Sequence, residues 1–304
     1  MSQPEKEHLE RMNKTLNDEM LHITLMDGQA RALLCRTTQL SNDAVRIHHP
    51  SNTACAALSR LMTGTLMLSC VMKNETDSVT VTIAGDGAIG KMTAVGMQNM
   101  VKVTAEYPQE DIPLRPDGHL DVGGLDGHHG RMSVVKDLGL DRPYVGQVNL
   151  VSGEIAEDFA QYYTASEQVP SLVALGARVY DGQVLSSGGI LVQTLPGCSE
   201  ETLNQLELRS MLFSDISYEL ADQELDTLVS AWFDGLSPVI VKREPVMYRC
   251  NCSRERMSKA LAALGRQELE EILDKDGYAT LTCHFCRKAR IFSEADIRKM
   301  LEDQ

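Results

Sequence analysis

Four cysteines crowd the last fifth of the chain: Cys250-Asn251-Cys252 and, after a further 30 residues, Cys283-His284-Phe285-Cys286. Two close thiolate pairs separated by a small domain's length of chain are what a closed tetrahedral Zn(II) site requires. One Zn(II) per chain is therefore expected on Cys250, Cys252, Cys283 and Cys286, and His284 is a bystander because the thiolates already fill four positions. The surrounding stretch, residues 244–304, carries few large apolar side chains, so its own core is marginal. Structural zinc contributes about 10–16 kcal/mol of apparent free energy to such units, and its loss should unfold this one. Thiolates are also what oxidants attack, and a Cys250–Cys252 bridge would be strained and readily reduced. A reversible redox switch and a permanently metallated zinc ribbon both fit the spacing.

The elements that must hold these sulfurs are legible. Ser253 caps a helix whose Met257, Ala260, Leu261 and Leu264 share a face and which ends at Gly265. A second short helix carries Leu269, Ile272 and Leu273, and Asp276-Gly277 turns the chain into the strand YATLT that delivers Cys283. Ser293 and Asp296 form the cap of a final helix.

Other candidate motifs reduce to structure. Gly85, Gly87 and Gly90 spell G-x-G-x-x-G, but strand-like KMTAVGMQ follows where a dinucleotide site needs a helix N-terminus, so the reading is a glycine-rich turn and no nucleotide cofactor. Glu154, Glu157 and Asp158 are first-turn carboxylates favoured by a helix dipole rather than an acid–base set. His119, His128 and His129 lie in a glycine-rich loop with no spacing that converges them on a metal. No nucleophile elbow or phosphate loop is present. Cys55 and Cys70 sit in apolar helical sequence and read as buried small hydrophobes, while Cys35 and Cys198 have no assigned role.

The first 198 residues mix helix and strand signals. A helix is expected over about 52–72, and strands over 78–84 and 101–106. Ser152 is expected to cap a helix with Ile155, Phe159, Tyr162 and Tyr163 on one side, stopping before Pro170. LVALGARVY and GGILVQTL, joined through Asp181-Gly182, read as a hairpin. Short strands meeting at turns favour an α+β core domain (1–198), followed by an acidic helical linker (199–243) and the zinc-binding domain (244–304). The linker carries nine acids against one base between residues 200 and 240, so like-charge repulsion should leave its amphipathic helices weakly stable.

The chain has 304 residues and a formal net charge of −14, which disfavours nucleic acid as a partner. Its richest apolar stretch, residues 61–72, is interrupted by Thr63, Gly64, Thr65 and Ser69, so no membrane span is expected. The N-terminal MSQPEKEHLERMNK lacks a secretory apolar core, which indicates a cytoplasmic protein.

Three stretches resemble the redox-regulated heat-shock chaperones known as the thirty-three-kilodalton chaperonin family: residues 152–171 (SGEIAEDFAQYYTASEQVPS), residues 188–197 (GGILVQTLPG), and residues 249–264 (RCNCSRERMSKALAAL) with the C-x-x-C that follows. The resemblance implies an ATP-independent holdase, not an enzyme, that is inactive when reduced and zinc-bound. It further implies that oxidation releases zinc, forms Cys250–Cys252 and Cys283–Cys286 disulfides, unfolds the zinc domain and linker, and exposes apolar surface to unfolded clients. Association into homodimers on oxidation is implied as well. One position departs from the family: Arg287 stands where Gly usually follows the second pair, which should cost the loop its easy left-handed turn and make that pair easier to oxidise. Two readings compete with the chaperone. A zinc-ribbon interaction or nucleic-acid-binding protein is suggested by RKAR at 287–290, and a thiol oxidoreductase by Cys283 and Cys286, although a strand rather than a helix start leads into that pair.

Overall fold

The computed structural model describes residues 16–302; the N-terminal stretch with no secretory core lies outside the described residues. Strands β1 (Glu19–Leu25) and β2 (Ala30–Arg36) open the chain, followed by helices α1 (Thr38–His48) and α2 (Asn52–Cys70). Three strands follow, β3 (Ser78–Gly85), β4 (Lys91–Met97) and β5 (Met100–Ala105), then the short α3 (Val122–Asp126), β6 (Gly130–Asp137), β7 (Tyr144–Asn149) and α4 (Ala156–Ala165). The hairpin β8 (Ser171–Tyr180) and β9 (Gln183–Thr194) completes this half. Asp181 and Gly182 both adopt left-handed backbone, φ 51° and 70°, as the Asp-Gly signal requires.

The acidic stretch forms α5 (Glu200–Arg209), α6 (Ile216–Asp222) and α7 (Leu225–Trp232), and strands β10 (Val239–Pro245) and β11 (Met247–Tyr248) follow. One sheet runs β10-β1-β2-β9-β8 and the other β11-β5-β4-β3-β6-β7. Every pairing is antiparallel except the short β11–β5 contact. Mixed helices with antiparallel sheets make the chain α+β.

Helix α2 is apolar on every side, and every residue from Thr53 to Ser69 except Arg60 is buried. It packs on β8 and β9 of one sheet and on β3, β4 and β5 of the other, so it is the shared core of both. Ser51 caps it by accepting a hydrogen bond from the Ala54 N–H at 3.1 Å. No helix among the described residues is long and apolar enough to cross a membrane.

The start of α4 differs from the sequence reading. Ser152 is not its cap: the helix begins at Ala156, and the N–H groups of Val151 and Ile155 donate to the buried Asp158 carboxylate at 2.7 and 3.0 Å. Gly153 and Ile155 both take positive φ, 73° and 74°, which turns the chain once more before the helix can begin. The expected face is nonetheless buried, with Ile155, Phe159 and Tyr162 at 0% exposure.

The described chain divides into two compact units, one ending at Tyr248 and the other starting at Arg249. The acidic stretch lies in the first. Leu206, Phe213, Ile216, Leu220, Leu228 and Trp232 are buried against the face of β1, β2 and β9 that carries Leu21, Ile23, Leu34, Ile190 and Val192. In the second unit, α8 (Arg254–Ala262), α9 (Arg266–Lys275) and α10 (Glu294–Glu302) surround the hairpin β12 (Tyr278–Thr282) and β13 (Ala289–Ser293). Its buried core is small: Met257, Leu261, Leu269, Ala279, Phe292, Ile297 and Met300. Helix α8 ends at Ala262, earlier than expected, which leaves Leu264 exposed beyond it; within the helix, Ala262 rather than Ala260 packs on the core, and Gly265, at φ 100°, opens α9.

Candidate metal centre

The 250–252 pair precedes α8, whose first turn is fixed by Ser253 accepting from the Arg256 N–H at 3.1 Å. The other pair sits in the tight loop between β12 and β13, closed by Cys283 N–H to Lys288 carbonyl (3.1 Å) and Arg287 N–H to Cys283 carbonyl (2.8 Å). The cap of α10 holds the far end of that hairpin: Asp296 accepts from the Ser293 N–H at 2.8 Å and takes an ion pair from Arg254 at 2.8 Å. The Arg254 guanidinium lies 4.6 Å from the centre of the Phe292 ring, tying α8 to the same strand.

These elements bring all four sulfurs within 4.8 Å of one another, with Cys250–Cys283 at 3.7 Å and Cys252–Cys286 at 3.4 Å. A tetrahedron of ~2.3 Å Zn–S bonds has edges of about 3.8 Å, so the donor set fits a zinc ion in size as well as in chemistry. Burial, followed by hydrogen bonds among the crowded sulfurs, pushes the Cys252 thiol up to about 12. Burial also opposes the Cys283 thiolate. The N–H groups of Cys286 and Phe285, with the Cys250 and Cys286 thiols, outweigh it and hold Cys283 below the ordinary cysteine value. Those loop N–H groups are functional atoms that residue types alone do not reveal. A cation at the centre would be surrounded by sulfurs already aimed at one point.

The other candidates do not assemble. Gly85 ends β3, and Gly87 and Gly90 lie in the turn to β4, with no helix after them. A Cβ on Gly85 or Gly87 would meet the backbone carbonyls of Asp126 or Leu125 at 1.9 and 2.2 Å, so close backbone approach is what these glycines serve. Glu154 lies before α4 and pairs with Arg60 at 2.5 Å and Arg115 at 3.4 Å, while Glu157 and Asp158 are first-turn carboxylates as expected, Asp158 being buried and accepting from the residues that lead into the helix. The cysteine set is the one group of at least three potential ligands that converges among the described residues, and His119, His128 and His129 are not in it. Burial raises the Cys55 and Cys70 thiols to about 12, as suits inert hydrophobes.

A profile of the family described as Hsp33 protein matches residues 18–293. The chain belongs to the Hsp33 family. It is 38% identical over 293 residues to a 33 kDa chaperonin of Clostridium perfringens (strain SM101 / Type A), covering 95% of this chain and 93% of that protein. It is also 38% identical over 290 residues to a 33 kDa chaperonin of Clostridioides difficile (strain 630), covering 95% of this chain and all of the relative. The crystal structure of a 33 kDa chaperonin from Thermotoga maritima superposes with a TM-score of 0.86 at 30% identity, covering 94% of this chain and 98% of that one. In the loop that carries Cys283 and Cys286, Arg287 occupies left-handed backbone, φ 56°.

Proposed function

We propose that this Hsp33-family chain is a redox-regulated, ATP-independent holdase of the cytoplasm, non-catalytic, inactive while reduced and activated by oxidation. The observation that carries the reading is the gathering of Cys250, Cys252, Cys283 and Cys286 in a unit whose own core is only seven buried side chains. Bound Zn(II), one per chain, would cross-link the turn before α8 to the β12–β13 loop and keep the sulfurs as thiolates.

Oxidation converts the four thiolates to two disulfides, each pair giving up two electrons to one peroxide, which takes two protons from solvent and leaves as two waters. All four sulfurs are neighbours, so distance in the folded unit does not select partners. The pairs Cys250–Cys252 and Cys283–Cys286 are those that the resemblance to the family implies. Sulfurs bound to one another no longer hold the metal, and the remaining core cannot keep α8, α9 and α10 together. Release of α5, α6 and α7 then uncovers Leu21, Ile23, Leu34, Ile190 and Val192, an apolar sheet face suited to unfolding clients. The oxidised form associates as a homodimer.

The test is light scattering of a heat-denatured client with either the reduced, zinc-loaded protein or the peroxide-treated protein. Suppression by the oxidised form alone is the expected result. Aggregation unaffected by both forms would sink the proposal, and salt-dependent nucleic-acid binding would then favour the zinc-ribbon interaction reading.

A further inference from the structure

The acidic helices are not held evenly. Helix α5 and the turn after it leave Leu208, Met211 and Leu212 exposed at 77%, 81% and 47%, whereas Ile216 and Leu220 of α6 are at 2% and 0%. The difference lies in what the sheet presents beneath α6. Arg36, at the end of β2 and 1% exposed, is among the largest fully buried side chains among the described residues. Its Nε donates to the Leu220 carbonyl at 3.3 Å and its Nη2 to the Gln223 carbonyl, which caps the C-terminal end of α6 with a buried cation. The negative charges of Glu224, Asp18 and Glu19 favour the charged form of the same guanidinium. At the other end of α6, Ser186 of β9 donates to the Ser217 carbonyl, and the Arg178 guanidinium lies 4.5 Å from the centre of the Tyr218 ring.

Two glycines let α6 lie this close. A Cβ on Gly188 would meet Leu220 Cδ1 at 2.5 Å, although it would also meet the Cys35 carbonyl oxygen at 2.2 Å. A Cβ on Gly176 would meet Ile216 Cγ2 at 2.8 Å, Ser217 Cβ at 2.9 Å and the Ser217 N at 3.0 Å. All three of those atoms belong to the start of α6, and none to the sheet.

We propose that Arg36 and Gly176 form a clasp that holds α6 against the sheet and sets how readily the acidic segment is released, so that Arg36 is a positioning residue for the switch rather than part of the metal centre. This rests on the holdase reading for its consequence, but the clasp itself is measurable without clients. Arginine suits the role because its planar fork reaches two carbonyls of one helix end while remaining charged at any pH the fold survives. A buried guanidinium deprived of those acceptors would be strongly unfavourable, so the contact acts as a two-position device: docked and satisfied, or released and hydrated.

The experiment compares reduced, zinc-loaded wild type with Arg36→Met and Gly176→Ala by hydrogen exchange read by mass spectrometry. Gly176→Ala wedges α6 without touching the sheet and guards against a simple loss of folding in Arg36→Met. The expected result is exchange of the α6 amides raised about tenfold in both variants, with β3, β4 and β6 protection and zinc content unchanged. The same reduced variants should suppress client aggregation. Raised α6 exchange without suppression supports the clasp as a structural contact and overturns its role in the switch, while the holdase reading stands or falls on the peroxide-treated wild type. Wild-type α6 exchange in Gly176→Ala overturns the clasp, as does loss of protection throughout the first unit in both variants.

Discussion

Replacing Arg287 with Gly should tighten the metal loop. Arg287 holds φ 56° while its N–H closes the loop onto the Cys283 carbonyl at 2.8 Å and its neighbour Lys288 accepts from the Cys283 N–H at 3.1 Å. The left-handed conformation costs an L residue about 1–2 kcal/mol, and glycine takes it freely. Glycine also gives the unfolded chain more freedom, which returns roughly 0.4–1 kcal/mol of that gain. The net is about 0.5–1 kcal/mol in favour of the closed loop, or roughly two- to fivefold in an equilibrium constant. A zinc ion that binds only the folded loop would carry that factor directly into its apparent affinity. The assay is zinc release under peroxide, followed with a chromogenic chelator, for wild type, Arg287→Gly and Arg287→Ala. Arg287→Gly should release zinc about two- to fivefold more slowly, while Arg287→Ala, which keeps the Cβ, should not slow at all. Release from Arg287→Gly at the wild-type rate would refute the backbone argument. Equal slowing in both variants would assign the effect to the lost charge instead.

Chelation of the reduced protein should remove the helical signal of α8, α9 and α10 and leave amide protection in β3, β4 and β6 intact; retention of α8–α10 after metal removal would show that the seven-residue core suffices. Trp232 is the chain's single tryptophan, 5% exposed and edge-on to Phe213 at 5.3 Å, so its fluorescence reports α7. Its emission should shift to the red once both disulfides form, and unshifted emission in fully oxidised protein would contradict release of the acidic segment. Asp126 is 0% exposed with no donor to either carboxyl oxygen, and burial, then Asp158 and Asp86, push its pKa from 3.8 up to about 8. The folded state thus binds a proton that the unfolded chain has lost above its own pKa. This contribution to stability is complete below about 4 and falls by at most about 1.4 kcal/mol per pH unit as pH rises towards 8. Asp126→Asn should flatten that slope in denaturant unfolding at pH 5 and pH 8, and an unchanged slope would rule Asp126 out as its source.

What the sequence disclosed was whatever local chemistry dictates. The cysteine pairs, the Asp181-Gly182 hairpin, the Ser253 cap and the all-apolar α2 each need only neighbouring residues to be understood. The start of α4 was misread because Ser152 and Asp158 are both cap-type residues, and only the positive φ at Gly153 and Ile155 decides between them. Strand β2 escaped notice because ARALLCR is buried on both faces and so lacks alternation. Strand β10, VIVKREP, straddles the expected boundary between linker and zinc-binding domain at 243/244, and its role is visible only with β1 to pair with it. The acidic segment shows the largest gap. Its charge pattern describes the outer surface of α5, α6 and α7, while their docking depends on a sheet face and on Arg36, which are distant in the chain.

The path of β10 bears on how an event at the cysteines could reach α7 at all. Between the end of α7 and Arg249 the chain is not a slack tether: residues 239–245 are laddered to β1, and 247–248 to β5. This rung is thin. Val239 and Val241 are 56% and 59% exposed, and the register slips opposite His22 and Ile23, leaving a bulge in an edge strand. If the cysteine unit unravels, a long disordered tail becomes anchored at that edge. A random coil pinned to a folded surface is denied every conformation that would pass through the surface, and it recovers that entropy by drawing its anchor outward. The pull falls first on β11 and β10, and only then on α7. On the proposed switch, this edge ladder would act as a mechanical fuse, its strength setting how much disorder downstream is needed before the acidic helices let go.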